Sequence, residues 1–129
     1  MHTKLNIKIE ISPGDLVDRL TILEIKKDKI NDKNKLRSIN YELQQLKSAY
    51  EENIPDTHNI NQQIFLLTQY NKTLWDLEDK IRLLDTNADY GDDFISTARK
   101  IFITNDLRAA VKKQINSTLG ASFSDEKSF

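Results

Sequence analysis

Over the first dozen residues apolar and polar positions take turns. Leu5, Ile7, Ile9 and Ile11 alternate with Asn6, Lys8 and Glu10. A period of two carried by β-branched residues predicts a half-buried strand over about 4–11. A lone strand leaves its backbone groups unpaired, so the same segment of a second subunit is its simplest mate. Beyond Pro13 the apolar spacing becomes three and four. Leu16, Leu20, Leu23 and Ile30 stack along a helix over 13–30, while Ile22 and Ile25 point elsewhere, so both faces of this helix are expected to be covered. Leu36, Ile39, Leu43, Leu46, Tyr50 and Asn53 mark a second helix over 33–54, with a seam suited to an antiparallel or coiled partner. The third stripe is the longest. Ile60, Ile64, Leu67, Tyr70, Leu74, Leu77, Ile81 and Leu84 predict a helix over 58–86, about 40 Å long at ~1.5 Å per residue. A fourth helix over 93–119 follows, with Ile103-Thr104-Asn105 as the place where it could break.

Three glycines and two prolines punctuate this pattern. Ser12-Pro13-Gly14-Asp15 reads as a helix start, with serine as N-cap, proline at the first helical position and an acid in the first turn. Asn31 to Asn34 is a polar bend, Pro55 closes the second helix with Asp56 or Thr57 as the next cap, and Asn87 to Gly91 is a turn. Gly120 opens a C-terminal tail over 121–129. The expected fold is mainly α: a long antiparallel helical hairpin or bundle with one short N-terminal β-strand, in a single domain over 1–120.

Some positions on the apolar stripes hold polar residues. A 100° step places Glu24 between Val17 and Leu20, with Thr21 and Asp28 beside it. Glu78 falls on the line of Ile60 and Leu67, near Asn71, Arg82 and Asp85. On a straight fourth helix, Asn105, Lys112 and Asn116 lie with Phe94, Ala98 and Ile101, and Arg108 is at the edge. Buried carboxylates must be paired or solvated in a cleft. One reading is a structural ion-pair network that fixes helix register. The other is a shared polar pocket between the first, third and fourth helices, with Glu24, Glu78 and Asp79 as acids and Arg82, Arg108 and Lys112 as bases. Trp75, three residues before Glu78, would then stack on a ligand; otherwise it is core.

Composition narrows the chemistry. The 129 residues carry a formal net charge of −1, so no global field attracts nucleic acid or an anionic membrane surface. The basic run from Lys26 to Arg37 is interrupted by Asp28 and Asp32 and has no interleaved aromatic residues, so it reads as a solvated helix end. There is no cysteine, which excludes disulfides and thiolate sites and suits a reducing cytoplasm. No stretch is apolar enough for a signal peptide or a membrane span. The two histidines, His2 and His58, stand at a terminus and a helix start and suggest no metal or catalytic pair. Asp76, Asp79, Asp85 and Glu78 could hold magnesium, but charged helix faces imitate that pattern freely.

Three stretches, Ser12-Pro-Gly-Asp-Leu-Val-Asp-Arg-Leu-Thr-Ile-Leu-Glu24, Leu74-Trp-Asp-Leu-Glu-Asp-Lys-Ile-Arg82 and Thr104-Asn-Asp-Leu-Arg-Ala-Ala-Val-Lys-Lys-Gln-Ile-Asn116, resemble an uncharacterised bacterial family known only as a domain of unknown function. The resemblance runs through the closing Glu126-Lys127-Ser128-Phe129 and implies a link with surface-polysaccharide genes. It picks out Asp15, Glu24, Glu78, Asp79, Arg82, Asn105, Asp106, Arg108 and Lys112 as positions matching the family's polar motifs. The chain is also distantly similar to helix-only enzymes. It lacks the paired Glu-x-x-Glu/Asp motifs of magnesium-dependent nucleotide pyrophosphohydrolases and the long Arg-bearing first helix of chorismate-mutase-like proteins.

The sequence therefore leads to a small, cytoplasmic, homodimeric helical binding or adaptor protein. Glu24, Glu78, Asp79, Arg82, Asn105, Arg108 and Lys112 would bind a small anionic ligand or a partner protein. The alternative is an all-α magnesium-dependent hydrolase acting on a nucleotide or phosphorylated metabolite, which requires the acids to converge. No metal site and no cofactor is assigned, and neither nucleic acid nor membrane is an expected partner.

Overall fold

In the computed structural model, which describes residues 5–55 and 59–121, four helices account for 80% of the described residues. They are α1 (Pro13–Lys29), α2 (Lys33–Asn53), α3 (Asn61–Thr86) and α4 (Asp92–Thr118). The caps follow from local chemistry. Ser12 Oγ accepts from Asp15 N at 3.1 Å, with Pro13 at the first turn where its missing N–H costs nothing. Asp32 Oδ1 accepts from Asn34 N and Lys35 N at 2.9 and 3.1 Å and so starts α2. The α3 and α4 C-termini close in the same way, with paired bonds from Asp89 N to Leu84 O and Ala88 N to Asp85 O, and from Ala121 N to Asn116 O and Gly120 N to Ser117 O. At the second closure Gly120 supplies the positive φ of 65°; at the first, Ala88 adopts φ 52° despite its Cβ.

The central element is α1, which packs against each of the other three helices, while α3 and α4 form an antiparallel hairpin across the short turn at 87–91. One core cluster joins Leu16, Val17, Ile54, Ile60, Leu67, Val111 and Ile115; a second joins Leu23, Ile39 and Leu43, with Leu20 and Leu46 touching both. Full burial of an aliphatic side chain contributes roughly 1.5–3 kcal/mol, so the leucines and isoleucines that form the seams also supply most of the cohesion.

Several boundaries and one element differ from the expectation. Residues 5–12 form no strand, and Leu5, Ile7 and Ile9 are exposed (87, 77 and 75%). Alternation records a surface fit for pairing, but a strand exists only when another backbone supplies the hydrogen bonds, and none does among the described residues. Lys4 lies outside them, as do Asp56, Thr57 and His58 at the expected start of the third helix, and residues 122–129 of the tail. α3 begins at Asn61 rather than at 58, after Asn59 and Ile60 outside the helix, and the Asn61 N–H is accepted by Asn59 Oδ1 at 3.1 Å. α4 runs unbroken through Ile103-Thr104-Asn105 because Thr104 is buried against the bundle rather than freed as a cap.

Gly14 is buried at a tight contact between α1 and α4. A Cβ there would lie 2.5 Å from Lys112 O and 3.0 Å from Asn116 Oδ1. Gly14 N donates to Asn116 Oδ1 at 2.7 Å. This contact sets the depth at which α4 sits on α1, and thereby the spacing of the side chains one and two turns along.

Candidate functional site

Four residues after Gly14, one turn along α1, Asp18 is buried with only 2% of its surface exposed. Arg108 on α4 answers it in fork geometry, Nε donating to Oδ1 at 2.9 Å and Nη2 to Oδ2 at 2.5 Å. Paired donation of this kind is the strongest form of the Arg–carboxylate contact. From α3, Asn71 Nδ2 donates to Asp18 Oδ1 at 2.9 Å and to Thr21 Oγ1 at 2.8 Å, and Thr21 Oγ1 donates to the Asp18 carbonyl at 2.7 Å. Arg108 Nη1 also reaches Asn105 Oδ1 at 3.3 Å. The hydrogen bonds with Asp18 lift the Arg108 guanidinium above its usual range; burial opposes the lift, and the charges of Asp18 and Asp15 add to it. Three helices are thus joined at one carboxylate.

Above this network is a cavity of about 420 Å³ between α1, α3 and α4. Its walls follow helical spacing. Asn71, Leu74, Trp75, Glu78 and Asp79 come from one face of α3, Ile22, Ile25 and Lys26 from α1, and Asn105 and Arg108 from α4. Isoleucine, leucine and the half-buried tryptophan give it an apolar body, and the polar groups sit at its floor and rim. Ligand pockets commonly combine these features at comparable volumes.

Four of the seven residues flagged in the sequence, Glu78, Asp79, Asn105 and Arg108, line this cavity. The other three do not. Glu24 faces α2, 3.1 Å from Lys47, beside a separate cleft of about 430 Å³ that includes Val17, Leu20, Tyr50 and Ile64. Lys112 lies toward the start of α1, 2.8 Å from Asp15. Arg82 is at the surface, 79% exposed and 3.9 Å from Glu78, a separation at which solvent leaves little net attraction. No three acids or histidines among the described residues converge as metal ligands; Asp85 instead accepts from Tyr90 Oη at 2.7 Å. Asp18 escaped the sequence reading. It shares the second face of α1 with Ile22 and Ile25, and that shared face was the available signal.

The sequence model of DUF6165, a family of unknown function, matches residues 7–129, and the chain belongs to this family. No curated protein and no solved structure matches the chain.

Proposed function

We propose that the protein is a small helical binding or adaptor protein, and that its binding site is the cavity between α1, α3 and α4. The observation that carries this reading is the position of Trp75 and an aliphatic wall directly over the Asp18–Arg108 ion pair. Asp18, Arg108 and Asn71 hold the three helices in register, so a ligand meets a preformed site and little ordering cost remains at binding. The magnesium-dependent hydrolase reading has less support, because its acids would need to meet within metal-binding distance and no such trio exists among the described residues. The anionic ligand is also disfavoured. Arg108, the cation at the cavity floor, already faces a carboxylate.

Trp75 is the only tryptophan, so its emission reports on the cavity directly. A small-molecule and peptide screen is expected to yield binders that shift this emission and raise thermal stability. Ile22→Phe, which fills part of the cavity from a half-buried wall position, should suppress both responses without unfolding the protein. Binders that act equally on the wild type and on Ile22→Phe would place binding elsewhere.

We also propose a two-fold homodimer. Segment 5–11, which forms no strand within the chain, presents Leu5, Ile7 and Ile9 to solvent, and α4 turns Phe102, Ile103 and Leu107 outward at 60, 41 and 45% exposure. Exposed apolar side chains gathered on one element commonly mark association surfaces. Light scattering at micromolar concentration should give twice the chain mass, and Ile7→Lys with Phe102→Glu should return the monomer. A monomeric wild type would overturn the dimer.

A further inference from the structure

We infer that the cavity between α1, α3 and α4 accepts a positively charged nitrogen on an apolar body, such as a protonated amine or guanidinium. This rests on the binding role proposed above and assigns its ligand class. The first argument is the hydrogen-bond inventory of Asn71. Asp18 carboxylate oxygens can only accept, so the Asn71 amide nitrogen must face Asp18, and the same nitrogen reaches Thr21 Oγ1. The Asn71 carbonyl oxygen is the end left over. Asn71 is 6% exposed and lines the cavity, and no donor among the described residues reaches that oxygen. That oxygen keeps some contact with solvent, since the one fully buried unpaired side-chain polar atom among the described residues is Asn116 Nδ2, so a donating ligand in the cavity would take the place of water there.

The second argument is charge. Around the cavity stand the carboxylates of Asp18, Glu78 and Asp79 and the cations of Arg108 and Lys26. Asp18 and Arg108 neutralise each other at the floor. Lys26, in the last turn of α1, offsets one of the two rim acids and also faces the negative end of its own helix. Arg82 is too exposed and too far from Glu78 to cancel the other. One rim carboxylate is therefore left without a matching charge, beside the ring of Trp75. Aromatic faces attract cations, and more strongly as water is displaced. The remaining donors, Asn105 Nδ2 and the spare N–H groups of Arg108, suit a neutral acceptor elsewhere on the same ligand.

The test uses three probes of one shape and different charge: phenethylammonium, 2-phenylethanol and 3-phenylpropionate, titrated against the full chain with Trp75 emission as the readout. Phenethylammonium should bind about tenfold more tightly than the alcohol, and the carboxylate should bind most weakly. The cation's advantage should shrink as salt rises. Glu78→Gln combined with Asp79→Asn should bring the ammonium down to the affinity of the alcohol. Nα-acetyl-lysine N-methylamide, run alongside, distinguishes the source: tighter binding than phenethylammonium identifies a basic side chain of a peptide, and weaker binding identifies a free amine. Binding of 3-phenylpropionate as tight as that of the ammonium would overturn the ligand class while leaving the cavity as a binding site. If no probe of any charge moves Trp75 emission at millimolar concentration, the binding role falls as well.

Discussion

Replacing Arg108 by methionine is expected to destabilise the protein by about 3–5 kcal/mol, the usual consequence of leaving a buried carboxylate without its cation. Asp18 would keep one hydrogen bond, from Asn71 Nδ2, and lose both bonds from the guanidinium. The raised pKa of Arg108 means that its contribution is fully present below the ordinary arginine range and is lost only as pH rises above it. The effect on Arg108 itself should therefore be flat across neutral pH. Asp18→Leu in the Arg108→Met background removes the stranded charge, while Asn71 keeps Thr21 Oγ1 as its acceptor. The double variant should be more stable than Arg108→Met alone. Urea titrations of the four proteins complete the cycle; a cost under about 1 kcal/mol for Arg108→Met would mean that the pair is not desolvated as described.

Gly14→Ala is the second large effect, and its sign is opposite to that expected from helix propensity. Alanine is ordinarily favoured over glycine within a helix by about 1 kcal/mol. At this position the added methyl would sit 2.5 Å from the Lys112 carbonyl oxygen, a backbone atom that cannot swing away. Relief requires α1 and α4 to part, which also stretches the 2.7 Å bond from Gly14 N to Asn116 Oδ1. A net loss of about 2 kcal/mol is expected, the middle of the range for overpacking. Unchanged stability in a urea titration would show that the two helices can separate freely. Parting the helices should also loosen the Arg108–Asp18 contact, so Trp75 emission provides a second readout.

The helices were legible because their seams repeat. Leu67 and Leu74, seven residues apart, share a face in a helix and fall on opposite faces in a strand. Membership of a family of unknown function was legible too, from motifs spread over the whole chain. The site was half legible. Glu78 and Asp79 on α3 and Asn105 and Arg108 on α4 stood out as polar residues against apolar neighbours, and they do meet around one cavity. Glu24 stood out for the same reason but belongs to the seam with α2 and Lys47. A helical wheel gives an angle; it does not say which neighbour occupies that direction. Asp18 was illegible for the converse reason. It lies next to Arg19, its place on the face with Ile22 and Ile25 does not say what packs there, and the approach of α3 and α4 is what makes its surroundings dry. Gly14 looked like an ordinary residue of a helix start, since close approach of a strand of chain about a hundred residues away leaves no local mark.

That separation along the chain has a consequence for synthesis. The bonds that hold α1 in place reach from Gly14 to Asn116 and from Asp18 to Arg108, spans of 102 and 90 residues. At ~5–20 residues per second, roughly 5–20 s pass between translation of Asp18 and translation of its cation. During this interval α1 can pair with α2, but its second face, with an unneutralised carboxylate, must wait in water. These contacts therefore close only when α4 has left the ribosome, and a nascent chain stalled before Arg108 should remain sensitive to protease along α1.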